Sequence, residues 1–329
     1  MTEQPPDRHV GLRHLGRGRN RTGAANGSVH PGGLAARNRR FGAALAVPAT
    51  LLVTLLIGLP AILTVWYSLE KVTLEGSASF VGLANYALLA SSGPFFHGVW
   101  LTVVYAAGVT VVSTVLGMVF ALTLNQVFHG RAIARTLLIV PWAVPWLLVG
   151  IIWKWFVDGD VGGLNGALYQ AGVIKEYIPF LASPGWALTV GIVAASWRQA
   201  SLSGLLLLAS LQVIPTEIGE AALIDGATAP QRFRYVVLPW LRQVLVIVAI
   251  TNVVSGLLQF DVIYALTQGG PGDATKLLSM ILYQQLFQFD NVGVGSAIAV
   301  VMGLVAFGVG LLFVTSLYRD ESAYAGGAT

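Results

Sequence analysis

Six long apolar stretches, separated by shorter polar segments, occupy most of the chain after residue 40. They cover residues 41–69, 98–127, 136–157, 186–214, 244–266 and 292–318. Each is close to or longer than the roughly 20 residues that a helix needs to cross the hydrocarbon core of a bilayer. The pattern therefore predicts an all-α polytopic membrane protein with six transmembrane helices. Pro141 and Pro145 interrupt the third stretch, where neighbouring helices can satisfy the carbonyl groups that these prolines leave free.

The composition also indicates a membrane protein. Charged residues make up 10% of the chain, apolar residues make up 55%, and the mean hydropathy is +0.72. These values lie outside the ordinary range of soluble domains. Because the chain has no cysteine, a disulfide framework, a thiolate metal site and a cysteine nucleophile are all excluded.

Residues 1–40 differ sharply from the rest, since they hold eight arginines among Gly, Asn and Pro and almost no apolar run. This composition predicts a disordered basic tail rather than a domain. Such a tail can contact anionic lipid or nucleic acid. We favour a solvated cytoplasmic tail that helps to set the topology, and we expect no nucleic-acid binding.

The distribution of basic residues predicts the orientation. With a cytoplasmic N-terminus, fourteen of the nineteen Lys and Arg residues fall in inner segments and four in outer ones, while Arg198 lies within a span. This agrees with the positive-inside rule. It predicts a multi-pass plasma-membrane protein with a transmembrane domain over residues 41–320, a short cytoplasmic tail at residues 321–329, and a cytoplasmic segment at residues 215–240.

The segment at residues 215–240 begins as a short amphipathic helix. Pro215 provides a break, Thr216 is a possible N-cap, and Glu217 and Glu220 lie in the first turn, where the helix dipole favours acidic groups. A narrow apolar stripe follows the same periodicity. It consists of Ile218, Ala221 and Ala222.

A second helix is expected after a turn at Asp225 and Gly226. Pro230 can open this helix, and Leu238 and Pro239 are expected to end it. One face of the helix is predicted to be apolar. That face consists of Ala229, Phe233, Val236 and Val237.

This segment resembles the coupling loop of the membrane subunits of binding-protein-dependent ABC importers. In that family an E-A-A run, a glycine six residues after the Glu and a terminal L-P recur at this spacing. The matching positions are Glu220, Ala221, Ala222, Gly226, Leu238 and Pro239, with Asp225 in the turn. The resemblance implies an all-α importer permease fold with a cytoplasmic coupling helix, in which Glu220 contacts an ATPase subunit.

Two further motifs resemble the carbohydrate-importing branch of the same family. Residues 80–86 match F-x-G-L-x-N-Y, and residues 261–275 match D-x-x-Y-x-L-T-x-G-G-P-x-x-x-T. The fourth span departs from the branch pattern, because Trp197, Arg198 and Gln199 are not followed by the usual Pro. The implied partners are a second permease, two ATP-binding subunits and an extracytoplasmic solute-binding protein, with a carbohydrate as substrate and lipid around the spans.

The fourth span contains a charge that needs a partner. An Arg at mid-membrane costs about 2.5–3.5 kcal/mol on insertion scales, so Arg198 is expected to face the interior. One hypothesis places it with Trp197 and Gln199 along the substrate path. The alternatives are an acidic partner such as Asp261, snorkelling to the interface, or pairing with a neighbouring subunit.

The fifth span has a polar stripe. Asn252, Ser255, Gly256 and Gln259 share one helical face among Val, Ile and Leu. Hydroxyl and amide groups of this kind suit the hydroxyl groups of a sugar. Helix packing is the alternative, because polar and small residues also hold membrane helices together. Asn252, Ser255 and Gln259 are therefore candidate substrate-path residues.

Enzymatic functions find little support in the sequence. The chain has no phosphate-binding loop motif (G-x-x-x-x-G-K-[ST]) and no serine-nucleophile motif (G-x-S-x-G). Its histidines lack metal-site spacing. The chain is therefore expected to bind no cofactor itself, with ATP and Mg on the partner ATPase. A stand-alone secondary transporter is the main alternative, although two repeated halves and intramembrane acids are absent. A membrane-embedded hydrolase is disfavoured because the catalytic groups are missing.

Overall fold

The computed structural model describes residue 42, residues 46–72 and residues 78–326, with side chains to residue 313 and at residue 315. The predicted basic tail at residues 1–40 lies outside these residues. The chain divides into two compact units, Met1–Gly58 and Leu59–Thr329. The larger unit contains every element discussed below except the first part of α1.

The described residues are mostly helical. A small antiparallel hairpin joins β1 (Glu70–Val72) to β2 (Ala78–Phe80), with Glu70 opposite Phe80. The helices, in chain order, are α1 (Ala46–Ser68), α2 (Ala84–Ala90), α3 (Gly93–Asn125), α4 (Arg131–Ala143), α5 (Trp146–Phe156), α6 (Gly163–Gln170), α7 (Pro184–Leu211), α8 (Thr216–Ile224), α9 (Ala229–Leu257), α10 (Asp261–Leu266), α11 (Leu278–Tyr283) and α12 (Val292–Gly326).

The prediction of an all-α polytopic membrane protein is confirmed. Within the described residues, α1, α3, α7, α9 and α12 are each long and apolar enough to cross a bilayer, and α4 with α5 forms a sixth, broken candidate. Helix α12 continues to Gly326, beyond the predicted end of the last span. Apolar side chains on the outer faces of these helices remain exposed, as expected where lipid covers them.

The third span, predicted over residues 136–157 with interruptions at Pro141 and Pro145, consists of two helices, with Pro141 inside the first and the break at Pro145. Helices α4 and α5 meet at an angle of 102°. Pro145 disfavours the helical conformation at the residue before it, and Val144 is extended, with φ −73° and ψ 127°. The chain therefore turns sharply at Val144 and Pro145. We call these two residues, with the adjoining ends of α4 and α5, the elbow.

The fifth span also differs from its prediction. Helix α9 does not end at Leu238 and Pro239 but runs through them from Ala229 to Leu257. A π-helical turn over Phe233–Val237 precedes the proline, and Leu238 donates its N–H to the carbonyl of Phe233. The wider turn accommodates a proline without breaking the helix. The predicted span at residues 244–266 is instead divided, because α9 ends at Leu257 and α10 begins at Asp261.

Small residues allow the central helices to approach closely. Helices α3 and α7 run side by side, and the Tyr105 hydroxyl donates to the carbonyl of Gly191 at 3.2 Å. A methyl group added at Gly117 would lie 2.6 Å from Cβ of Ser203. A methyl group added at Gly256 of α9 would lie 2.6 Å from Cα of Ala106 on α3. Such small-residue contacts are typical of membrane helix packing.

We predict that Gly256→Ala destabilises the protein. The new methyl group would meet backbone of α3, which cannot rotate away, and overpacking of this kind costs about 1–3 kcal/mol. Gly303→Ala is the matched control, because nothing lies within 4 Å of a Cβ at Gly303. Thermal melting of the two purified variants in detergent checks this. A Gly256→Ala protein as stable as Gly303→Ala would contradict the packing argument.

Candidate coupling and translocation site

Helix α8 stands out from the other helices of similar length because it has no buried residue. Glu220 and Ala221 are exposed, and Ala222 is half-buried. The N-cap position is Pro215 and carries no side-chain hydrogen bond, so Thr216 is the first helical residue rather than the predicted cap. An exposed helix of nine residues has little to hold it in place within this chain alone.

The end of α8 is closed by backbone hydrogen bonds. Gly226 donates its N–H to the carbonyl of Leu223 at 3.0 Å, and Ala227 donates to Ala222 at 2.9 Å. This is the Schellman arrangement, which places the residue after the C-cap in the left-handed region. Asp225 is the C-cap, and Gly226 has a φ of +75°. The turn predicted at Asp225 and Gly226 is therefore present, and its geometry favours glycine.

A cavity of about 700 Å³ lies between α8, the ends of α3 and α7, and the start of α9. The four residues predicted to share the apolar face of the second helix all line it. Those residues are Ala229, Phe233, Val236 and Val237. From α8, Thr216, Gly219 and Ala222 line the cavity, whereas Glu220 does not. Helix α8 thus rests its small side chains over the cavity and leaves Glu220 exposed.

The polar stripe of α9 belongs to a buried cluster. Asn252, which is 1% exposed, donates from Nδ2 to Oγ1 of Thr114 and to Oγ of Ser203, both at 3.2 Å. Ser203 donates to the carbonyl of Gln199 at 3.1 Å. Gln199 in turn donates from Nε2 to Oγ of Ser255 at 3.4 Å. The cluster therefore joins α3, α7 and α9.

Gln259 lies in the break between α9 and α10 and is buried. Its carbonyl accepts a hydrogen bond from Oγ of Ser279 at 2.5 Å. The next residue, Phe260, stacks on Tyr264 with ring centroids 5.1 Å apart. Gln259 thus stands apart from the cluster around Asn252, although the sequence places it on the same stripe.

Arg198 contacts the elbow. Its Nε donates to the carbonyl of Val144 at 2.8 Å, and its guanidinium lies 4.0 Å from the centre of the Trp146 ring. Trp197 points to α5 instead, with its ring centroid 6.4 Å from that of Trp153. In the part of the chain that the structure describes, Arg198 pairs with no carboxylate, and Asp261 is not its partner.

A family model corroborates the membrane architecture. Residues 113–319 match the model described as "Binding-protein-dependent transport system inner membrane component". The match includes α7, α8 and α9, which carry most of the site. The chain belongs to this family.

Individual relatives match a larger part of this chain than the family model does. The trehalose/maltose transport system permease protein of Thermococcus litoralis is 36% identical over 265 residues, which cover 80% of this chain and 89% of the relative. The sulfoquinovosyl glycerol transport system permease protein of Agrobacterium fabrum is 33% identical, covering 80% of this chain and 86% of the relative. Both are transport system permease proteins by name.

Among solved structures, the fold is similar to a chain of a bacterial ABC transporter involved in the import of the acidic polysaccharide alginate. The TM-score is 0.75 at 19% identity, and the similarity covers 86% of this chain and 96% of that one. At this identity the comparison shows the fold alone. This chain therefore has the type I importer permease fold.

Several contributors to the site were missed from the sequence. Thr228 and Gln231 form a capping box at the start of α9, and the T-x-x-Q spacing signals this. Ser203 and Thr114 complete the buried cluster, but isolated hydroxyl residues in apolar stretches carry no specific signal. Among the described residues, no group of three or more His, Asp or Glu could hold a metal ion.

We predict that Asn252→Leu and Ser203→Ala each lower the melting temperature. Both variants remove the hydrogen bond between Asn252 and Ser203, and Asn252→Leu also removes the bond to Thr114; such bonds contribute about 0.6 kcal/mol each between membrane helices. Uptake per assembled transporter separates packing from a substrate path. If Asn252 lines the path, only Asn252→Leu reduces uptake. Equal uptake by the two variants would favour packing alone.

Proposed function

We propose that this chain is a permease subunit of an ATP-driven, binding-protein-dependent importer of a sugar or related carbohydrate. In this proposal, ATP hydrolysis on partner subunits is coupled through α8 to alternating access of the transmembrane helices. The single observation that carries the coupling role is that α8 has no buried residue and lies over a mostly apolar cavity. The names of the relatives at 36% and 33% identity support the carbohydrate class.

The structure of α8 suits a docking role. Glu220 is an exposed acid on a helix whose small side chains face the cavity, so it is available to a basic group or a helix N-terminus on the ATPase. Gly226, in the left-handed region, ends the helix directly after Asp225. Leu238 and Pro239 contribute differently from what their position in the motif suggested, since both lie inside α9.

Two short connections join α8 to the long helices of the bundle. Helix α7 ends at Leu211, only four residues before α8, and α9 begins four residues after it. A movement of α8 is therefore passed to both long helices. These two helices carry Gln199, Asn252 and Ser255, members of the polar cluster that we propose line the carbohydrate path.

The remaining parts of the proposal rest on family membership. We propose that a second permease subunit, two ATP-binding subunits and an extracytoplasmic solute-binding protein complete the transporter. ATP and Mg would bind to the ATPase subunits and not to this chain. The α8 end of the bundle and both termini would face the cytoplasm, where the ATPase lies, with the spans in the plasma membrane.

We predict that Glu220→Ala uncouples transport. A charged hydrogen bond at an interface costs about 2 kcal/mol or more when truncated, so substrate-stimulated ATP hydrolysis and uptake by the reconstituted transporter should both fall. Glu217→Ala is the matched control, because Glu217 is an exposed acid in the first turn of the same helix. Similar losses in both variants would point to general charge effects and contradict a specific role for Glu220.

The class of transporter is tested by the energy source. In proteoliposomes containing the assembled transporter, a partner ATPase that binds but does not hydrolyse ATP should abolish uptake, even with an imposed proton gradient. A control with the gradient collapsed and ATP hydrolysis intact should retain uptake. Uptake driven by the gradient alone would identify a secondary transporter and overturn the proposal.

A further inference from the structure

Arg198 is a charged residue near the middle of the membrane helix α7, yet it has no acidic partner among the described residues. Its two contacts are both with the elbow, through the Val144 carbonyl at 2.8 Å and the Trp146 ring at 4.0 Å. Both contacts reach across to another span, since Val144 and Trp146 lie 54 and 52 residues earlier in the chain. The side chain therefore bridges α7 and the broken third span.

The elbow creates a requirement that Arg198 meets. Carbonyl groups at the end of a helix have no partner within that helix, and in a bilayer no water replaces it. Val144 is extended and lies between the two helices, so its carbonyl is outside the i→i−4 pattern of both and needs a donor from elsewhere. Arg198 supplies a charge-assisted N–H, which is stronger than a neutral one, and the carbonyl and the cation thereby satisfy each other.

The Trp146 ring fixes the direction of the guanidinium. Cation–π contact is strongest on Trp and when the pair is removed from water. Trp146 is the first residue of α5, directly after the elbow. With Val144 before the break and Trp146 after it, Arg198 holds both arms of the elbow at once. A cluster of Val149, Ala194 and Val262 packs alongside and seats α5 between α7 and α10.

We propose that Arg198 is a positioning residue that holds the α4–α5 elbow at its observed angle and ties it to α7. This inference rests on the proposed function only for its effect on transport. Thirteen residues of helix separate Arg198 from the end of α7, which corresponds to about 20 Å at 1.5 Å per residue. The contact thus links the helix that leads into α8 to the third span.

The chain has no cysteine, which allows a direct measurement of the elbow. Single cysteines at Ile133 on α4 and Ile152 on α5, which are 68% and 47% exposed, can carry spin labels in the full-length protein. The unmodified elbow should give one narrow distance distribution. Arg198→Gln should broaden it and shift it to longer distances, and Arg198→Lys should lie between, because Lys lacks the planar group that stacks on Trp.

Trp146→Leu provides the second variant, since it retains the charge of Arg198 and removes only the ring. It should reproduce the change in distance, whereas Trp155→Leu, at an 80% exposed Trp of the same helix, should not. In the assembled transporter, Arg198→Gln and Trp146→Leu should each lower the maximal rate of uptake roughly tenfold, and the double variant should be no worse, since coupled residues are not additive.

An unchanged distance distribution in both Arg198→Gln and Trp146→Leu would overturn the proposal, whatever their transport. The proposal would also be overturned if the losses of uptake in the two single variants added up in the double variant and only Arg198→Gln raised the KM for the substrate. That result would indicate that Arg198 contacts the substrate. If Arg198→Gln does not insert, Arg198→Lys and Trp146→Leu still decide the matter. Failure of the proposed function would give a different result. The spin-label distances would change as expected in the variants, but uptake by the unmodified protein would not require ATP hydrolysis.

Discussion

A backbone carbonyl inside a bilayer has no water to bind, so each interruption of a membrane helix must find a hydrogen-bond donor within the protein. This constraint explains the most unusual contacts in the structure. At the elbow the donor is Arg198, which binds the carbonyl of Val144. At the break between α9 and α10 it is the Ser279 hydroxyl, which binds the carbonyl of Gln259. At Pro239 a wider π-helical turn rearranges the ladder without a break.

The same constraint separates what the sequence predicted from what it did not. Stretches of 22 or more apolar residues predicted the helical class, since no other single-chain element suits them. The E-A-A segment with Gly226 predicted α8 and its turn correctly, because helix ends have strong local signals. The course of the chain at Pro145 and Pro239 was harder to predict. Pro145 interrupts an apolar stretch and Pro239 precedes one, yet Pro145 lies at a bend of 102° and Pro239 lies in a continuous helix.

Local sequence cannot distinguish these two prolines, because the deciding groups are distant in the chain. Pro145 is held in a sharp bend by a side chain of α7, more than fifty residues away. Pro239 follows a π-helical turn whose residues Val236 and Val237 line the cavity beside α8. The polar cluster shows the same limit. The stripe containing Asn252 was visible from its periodicity, whereas its partners Ser203 and Thr114 became evident only when α3, α7 and α9 came together.

The missing proline in the fourth span has a structural consequence. Trp197, Arg198 and Gln199 are followed by Ala200 and Ser201 rather than by a helix breaker, and α7 is continuous from Pro184 to Leu211. A continuous helix transmits displacement along its axis better than a broken one, because a break is where bending concentrates. The bend is found instead in the third span, held by the cation that α7 presents. Helix α7 thus combines an unbroken helix leading to α8 with a contact to the span that, among the described residues, is sharply bent.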